Sequence, residues 1–339
     1  MNKWEENKSL KPFNTFGFEA KARYFATPDS TEGIEETLET CRKNSIPVFI
    51  LGGGSNVVFS KDFDGLVLCP RTDRISISRK CMESRTLVVS AGVVWDDFVR
   101  YTVENNLMGV ENLSGIPGTV GAAPVQNIGA YGMEAKDSIY ALFGIMIDDG
   151  QPFFMENRDC KFTYRSSIFK NELKWKAIIT RVAFKLAKGR RFKIEREDLQ
   201  EELRKYGTIN LSSIRQSILN LRAAKLPDPG ELGNAGSFFK NPVVEQAEAD
   251  RLLELFPSMP VYSASTFDDK VKLSAGWMIE NCSLKGYREN NIGVYDRQAL
   301  VLVNYGGGTA NELILFSRMV QDRVFEKFGV KIEPEVDIV

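Results

Sequence analysis

Histidine is missing altogether from the 339 residues. Without an imidazole, Ser-His-Asp and Cys-His catalysis, the zincin motifs and the two-His-one-carboxylate iron site are all excluded. Cysteine is scarce. The five, at positions 41, 69, 81, 160 and 282, are odd in number, widely spread and free of any CxxC pair. That pattern argues against a disulfide framework and a thiolate zinc site and fits a reducing compartment. Long apolar runs are lacking as well. The longest, around Tyr140–Ile147, is far too short to span a bilayer, and Met1–Phe18 holds no signal-peptide core. A cytoplasmic location with no membrane partner is the expectation. Net charge is nearly absent: 44 Lys+Arg against 45 Asp+Glu leave −1. So weak a field holds neither nucleic acid nor an anionic surface, and a phosphate ligand has to be held locally.

What is present suits a soluble globular protein. Hydrophobic residues make up 43% and charged ones 26%, without the bias of disordered or fibrous chains, and the length favours two or three packed domains. Ala22–Thr27 is β-rich, Ile34, Leu38 and Cys41 recur at helical spacing after a capping pattern at Asp29–Glu32, and Pro47–Leu51 is a short apolar run. Strands are expected at Ile75–Ser78, Leu87–Ser90, Ile139–Ile147, Phe153–Met155 and Ala177–Leu186, with a helix from Trp95 to Asn105. From Glu195 the pattern turns helical: Ile214, Ile218, Leu221 and Leu226 share a face. Helices at Glu245–Phe256 and Leu273–Cys282, a strand at Ala299–Val303 and a long helix at Asn311–Phe328 follow. The order of elements reads as α+β.

Two glycine segments stand out. Gly52, Gly53, Gly54, Ser55 and Asn56 close a strand and offer backbone N–H groups that can cradle phosphate oxygens. Position 57 is Val, so the dinucleotide fingerprint G-x-G-x-x-G fails, and a purely structural turn is equally compatible with these residues. The second runs from Glu111 to Gly132 almost without charge. Glycines at 115, 118 and 121 let the backbone lie against a large planar or pyrophosphate-bearing ligand, while Gln126 and Asn127 can bond its heteroatoms. An Ω-loop packed on its own side chains is the alternative.

In wording and order these segments resemble the FAD-binding half of the UDP-N-acetylenolpyruvoylglucosamine reductase family. Leu10-Lys11-Pro12-Phe13-Asn14-Thr15-Phe16-Gly17 resembles its N-terminal signature, and Tyr164-Arg165-Ser166-Ser167-Ile168-Phe169-Lys170 its catalytic-arginine segment. Lys225-Leu226-Pro227-Asp228-Pro229 and Gly233-Asn234-Ala235-Gly236-Ser237-Phe238-Phe239-Lys240-Asn241-Pro242 resemble its serine segment, and Glu333-Pro334-Glu335-Val336 closes the set. The stretch between Leu186 and Lys225 is intact, which is similar to the longer, type I form.

The resemblance implies an α+β, three-subdomain flavoprotein of the vanillyl-alcohol-oxidase (PCMH-type) superfamily. Residues 1–69 and 70–225 would form two FAD-binding subdomains and residues 226–339 a substrate domain whose tail returns to the active site. It implies non-covalent FAD, NADPH as co-substrate, and hydride transfer to UDP-N-acetylglucosamine enolpyruvate, giving UDP-N-acetylmuramate for peptidoglycan, by a chain expected to be a monomer. Arg165 would hold the substrate carboxylate as charge builds, Ser237 would protonate the α-carbon, and Glu335 would assist. FAD would meet Gly52, Gly53, Gly54, Ser55, Asn56, Ser114, Gly115, Ile116, Pro117, Gly118, Gly121, Ala122, Gln126, Asn127, Gly129, Ala130 and Tyr131. The UDP-sugar would meet Lys225, Asn241, Tyr262 and Arg196; the basic residues Arg222, Lys225 and Lys240 suit a diphosphate.

Two positions depart from the family pattern. Arg196 stands where the family usually has the tyrosine that closes over the nucleotide, and Tyr295 replaces a commoner histidine. Taken without the resemblance, Arg165, Ser237 and Glu335 are more readily read as an exposed arginine, a turn serine and a solvated carboxylate. An FAD oxidase of the same superfamily and a non-catalytic nucleotide-sugar binder are the alternatives.

Overall fold

The computed structural model describes residues 4–189, 191–264 and 269–339. They form two compact units. The first takes the described residues of Met1–Lys8, Ala22–Gly53 and Phe63–Ala224, and the second takes Ser9–Lys21, Gly54–Asp62 and the described residues of Lys225–Val339.

In the first unit, among the described residues, a four-stranded sheet runs in the order Glu5–Ser9, Lys21–Ala26, Phe63–Leu68, Val48–Ile50. The last three strands are mutually parallel. The helix Thr31–Lys43 connects two of them. Its N-cap Ser30 accepts the Gly33 N–H, and Ile34, Leu38 and Cys41 fall on its buried face. The apolar run Val48–Ile50 makes an edge strand. The centre is the Phe63–Leu68 strand, which sequence periodicity does not reveal.

A five-stranded antiparallel sheet follows, in the order Pro152–Glu156, Ile139–Met146, Ala177–Ala187, Ser84–Ser90, Ile75–Lys80. Its inner face, with Leu87, Val89, Leu142, Val182, Phe184 and Leu186, packs on Trp95, Phe98 and Val99 of the helix Trp95–Glu104. Burying a side chain of this size is worth roughly 1.5–3 kcal/mol. The helix Leu211–Lys225 sets Ile214, Ile218 and Leu221 against Tyr131, Phe192 and Ile194. It stops at Lys225, short of the Leu226 that the periodicity includes, because Pro227 holds the preceding residue out of helical geometry.

The second unit collects one core from three parts of the chain: Phe16 and Phe18, Val58, and residues from Phe238 to Val336. Gly233–Ser237, Val301–Asn304, Ile292–Val294 and Arg288–Glu289 form one sheet, and Val243–Glu245, Lys270–Leu273 and Val261–Ser263 another. The helix Ala310–Phe328 opens with a reciprocal Thr309–Glu312 capping box and closes at Gly329, φ +70°. Leu313, Phe316, Val320, Val324 and Phe328 are its buried stripe. Leu273 ends a strand, so the next helix begins after Ser274, at Ala275–Asn281. Among the described residues no helix is long and apolar enough to cross a membrane.

Candidate active site

The first unit carries Gly52 and Gly53 of the glycine turn and the long glycine segment. Gly52 and Gly53 lie against residues 118–122: a Cβ on Gly53 would fall 2.8 Å from Gly118 Cα, and one on Gly52 would fall 3.0 Å from Ala122 Cβ. At Gly121 a Cβ would meet Ala91 Cβ at 2.5 Å. Close approach of neighbouring chain therefore requires glycine at 53 and 121, while at Gly52 the side chains of Ala122 and Thr119 crowd the position. The long segment is irregular apart from a 3-10 turn at Glu111–Leu113 and the short pair Gly129–Ala130 with Met133–Glu134. It is anchored by Trp95, whose Nε1 donates to Leu113 O at 3.0 Å and whose backbone N–H donates to Gly118 O at 3.0 Å.

Gly115 is clamped on both sides. Its N–H donates to Asp96 at 2.6 Å, its carbonyl accepts from Arg222 Nε at 3.1 Å, and Arg215 grips Asp96 with two 2.6 Å bonds. Burial alone pushes the Asp96 carboxyl up. The Arg215 bond, the Gly115 N–H and the charges of Arg215 and Arg100 outweigh it, so the group sits below its ordinary range. Burial likewise lowers Arg222 and raises Tyr131. This clamp escapes sequence reading because Asp96 and Arg215 are 119 positions apart.

Asn127 spends its side chain on protein: Nδ2 donates to Glu134 at 3.1 Å and to Thr163 O at 3.0 Å, and Oδ1 accepts from Lys136 N. Ser114 Oγ donates to Glu111 O, and Gln126 Oε1 accepts from Lys170 Nζ. Arg165 joins this group. It adopts φ +53°, a conformation a side chain takes at some cost, and sets its guanidinium over the Tyr164 ring, with Nη2 donating to Gly129 O at 2.6 Å. Arg196 lies over the Tyr131 ring, 5.0 Å from its centroid, and pairs with Asp198 through Nε and Nη2.

The chemistry of the segment fits an FAD. Asn112 to Gly132 carries no charged side chain to repel a pyrophosphate. Within it, the buried acceptor Asn112 Oδ1 has no hydrogen-bond partner among the described residues.

The second unit brings Ser237, Glu335 and Asn56 together. The serine and glutamate segments run side by side: Glu335 N donates to Phe238 O at 2.7 Å, and Lys240 N donates to Glu333 O at 2.9 Å. Asn56 Nδ2 donates to Glu335 O at 3.3 Å, and its carbonyl accepts from Asp337 N as the tail pairs in parallel with Val57–Val58. Gly54, at φ +68°, would drive a Cβ to 1.9 Å from Phe13 O. Its carbonyl accepts from Thr15 N at 3.0 Å. The N-terminal signature is thus structural glue, with Asn14 bonded to Leu10 O, Phe18 O and Phe18 N. Lys240 is ion-paired with Glu333, and Asn241 Oδ1 accepts from Ala275 N. Tyr262 is half exposed on the Val261–Ser263 strand.

A family model described as FAD binding domain matches residues 22–150, and one described as UDP-N-acetylenolpyruvoylglucosamine reductase, C-terminal domain, matches residues 228–339. A UDP-N-acetylenolpyruvoylglucosamine reductase of Flavobacterium johnsoniae is 43% identical over 339 residues, 99% of each chain. The chain belongs to the UDP-N-acetylenolpyruvoylglucosamine reductase family. Family members from Ralstonia nicotianae and Chromobacterium violaceum are 44% and 42% identical, covering 95% and 96% of each chain. The crystal structure of the Thermus caldophilus enzyme covers 100% of this chain and 99% of its own at TM-score 0.68 and 22% identity, a likeness of fold. The α+β reading and the family resemblance are both borne out.

Proposed function

We propose that the chain reduces UDP-N-acetylglucosamine enolpyruvate to UDP-N-acetylmuramate, using FAD and NADPH, in the cytoplasm and as a monomer, to supply peptidoglycan synthesis. One observation carries this: an FAD-binding match at residues 22–150 and a reductase C-terminal match at residues 228–339 occur in one chain. Residues 1–69 and 70–225 take the FAD-binding role and residues 226–339 the substrate role. FAD is held by the residues of the two glycine segments and, when bound, supplies the hydride that NADPH provides.

The chain's own groups handle charge and protons. Addition to the β-carbon of an enol ether carboxylate pushes negative charge into the carboxylate. Arg165, with a permanent charge and a fork of donors, holds it there. The Ser237 hydroxyl gives the α-carbon its proton, and Glu335 stabilises the enol form. Lys225, Asn241, Tyr262 and Arg196 bind the UDP-sugar.

The test is the visible spectrum of the purified protein. Anaerobic NADPH is expected to bleach the flavin band and the enolpyruvyl UDP-sugar to restore it. Ser237→Ala is expected to keep the bleaching and slow the recovery by about 10²–10⁴-fold. Recovery with oxygen alone would point to an oxidase, and a protein that FAD cannot colour would point to a binder.

A further inference from the structure

We infer that Asn234 is a positioning residue for Ser237, an inference that rests on the proton-donor role proposed above. The Gly233–Ser237 strand pairs with Val301–Asn304 so that Asn234 faces Val303 and Ser237 faces Val301. Three steps along one strand therefore span two along the other. The surplus residue is a bulge, and a bulge re-aims the side chain that follows it. Gly236 takes the left-handed conformation this requires, φ +66°. Without the bulge, Ser237 would shift by one residue and its side chain would turn to the opposite face of the sheet.

The Asn234 side chain pins this bulge. Its Oδ1 accepts the Gly236 N–H at 2.9 Å, and its Nδ2 donates to Leu232 O at 2.8 Å and Pro227 O at 3.2 Å. Two carbonyls facing Nδ2 fix the orientation of the amide. The residue is 2% exposed, so water does not substitute for these bonds. Its backbone N–H donates to Thr15 O, and Thr15 N donates to Gly54 O. Beyond Ser237, the fully buried Phe238 is tied through its N–H to Leu300 O at 2.7 Å. Ser237 thus lies between a bulge that Asn234 closes and a buried anchor. The direction of its hydroxyl follows from both.

The experiment measures the two half-reactions of FAD-loaded protein separately by rapid mixing, at saturating sugar. Asn234→Ala is expected to leave NADPH bleaching within about 2-fold and to slow recovery by the enolpyruvyl sugar on the order of 10²-fold, as a misplaced catalytic group does. Combined with Ser237→Ala, it is expected to add no further loss, because both changes remove one function. Equal slowing of both half-reactions, full additivity in the double variant, or unchanged recovery in Asn234→Ala beside slowed recovery in Ser237→Ala overturns the inference. Unchanged recovery in Ser237→Ala overturns the proton-donor role itself. If Asn234→Ala does not retain FAD, Gly236→Ala takes its place. The added methyl meets no atom within 4 Å, so only the +66° turn is strained, and the same selective loss is expected.

Discussion

The guanidinium of Arg165 rests on the backbone of Gly129. Nη2 donates to the Gly129 carbonyl at 2.6 Å, and a Cβ at position 129 would come within 2.9 Å of Nη1. The glycine is thus the floor on which the cation lies, and its missing side chain sets where the charge sits.

Gly129→Ala is therefore expected to act on catalysis more than on folding. The methyl would also meet Glu134 Cγ and Met133 O at 3.0 Å, each of which would have to give by a few tenths of an ångström. The end of the arginine yields as well. Turnover is expected to fall about 10²-fold, the cost of a misplaced catalytic group, while the FAD-loaded protein melts near the wild-type temperature. A variant that melts much lower and keeps its turnover would show that Gly129 serves the fold alone.

Arg165→Lys separates charge from geometry. An ammonium keeps the charge but lacks the planar fork of donors, one of which reaches Gly129 O. Recovery of the flavin band with the enolpyruvyl sugar is expected to slow by roughly 10²–10³-fold, the loss typical of removing a charge-stabilising donor. NADPH bleaching is expected to stay close to wild type. Equal slowing of both phases would remove Arg165 from the substrate's side of the reaction.

Helices were legible because their signal is local: Ile34, Leu38 and Cys41, or Leu313 to Phe328, repeat within one element. Strands without an unbroken apolar run were not. Asp64 and Gly65 interrupt the apolar pattern of Phe63–Leu68, yet parallel neighbours on both sides make it central. Gly233–Ser237 is small and polar and is a strand only because Val301–Asn304 pairs with it. The glycine segments were legible as places of close approach. What approaches Gly53 is the backbone of Gly118, which no local pattern announces. The candidate residues themselves came from motif resemblance. Asn234 lies inside the quoted serine segment, but nothing there marks its hydrogen bonding, and the Asp96–Arg215 clamp across 119 positions left no motif trace at all.

Arg196 tests the departure from the family's tyrosine. Its pair with Asp198 is partly solvent-exposed, so the pair adds only about 0.2–1 kcal/mol. Arg196→Ala is expected to leave the melting temperature nearly unchanged. The lost guanidinium over Tyr131 is expected to raise the apparent KM for the UDP-sugar about 5-fold, the worth of roughly 1 kcal/mol of cation–π contact, with kcat retained. An unchanged KM would mean that Arg196 takes no part in holding the sugar nucleotide.

Asp96 makes the first unit's stability depend on pH. Its carboxyl is held below the ordinary range, so the folded chain binds this proton more weakly than the unfolded chain does. The stabilisation is then complete above the unfolded value of about 3.9 and is lost as pH falls through the lower folded-state value. Asp96→Asn removes the titration and weakens the hold of Arg215 and Gly115. Near neutral pH it is expected to cost about 2 kcal/mol, the scale of hydrogen bonds to a charged group. Urea titrations monitored by tryptophan fluorescence check the sign: the gap between wild type and variant should be constant from pH 8 to pH 5 and close below pH 4. A gap that stayed constant down to pH 3 would place the role of Asp96 in packing instead of charge.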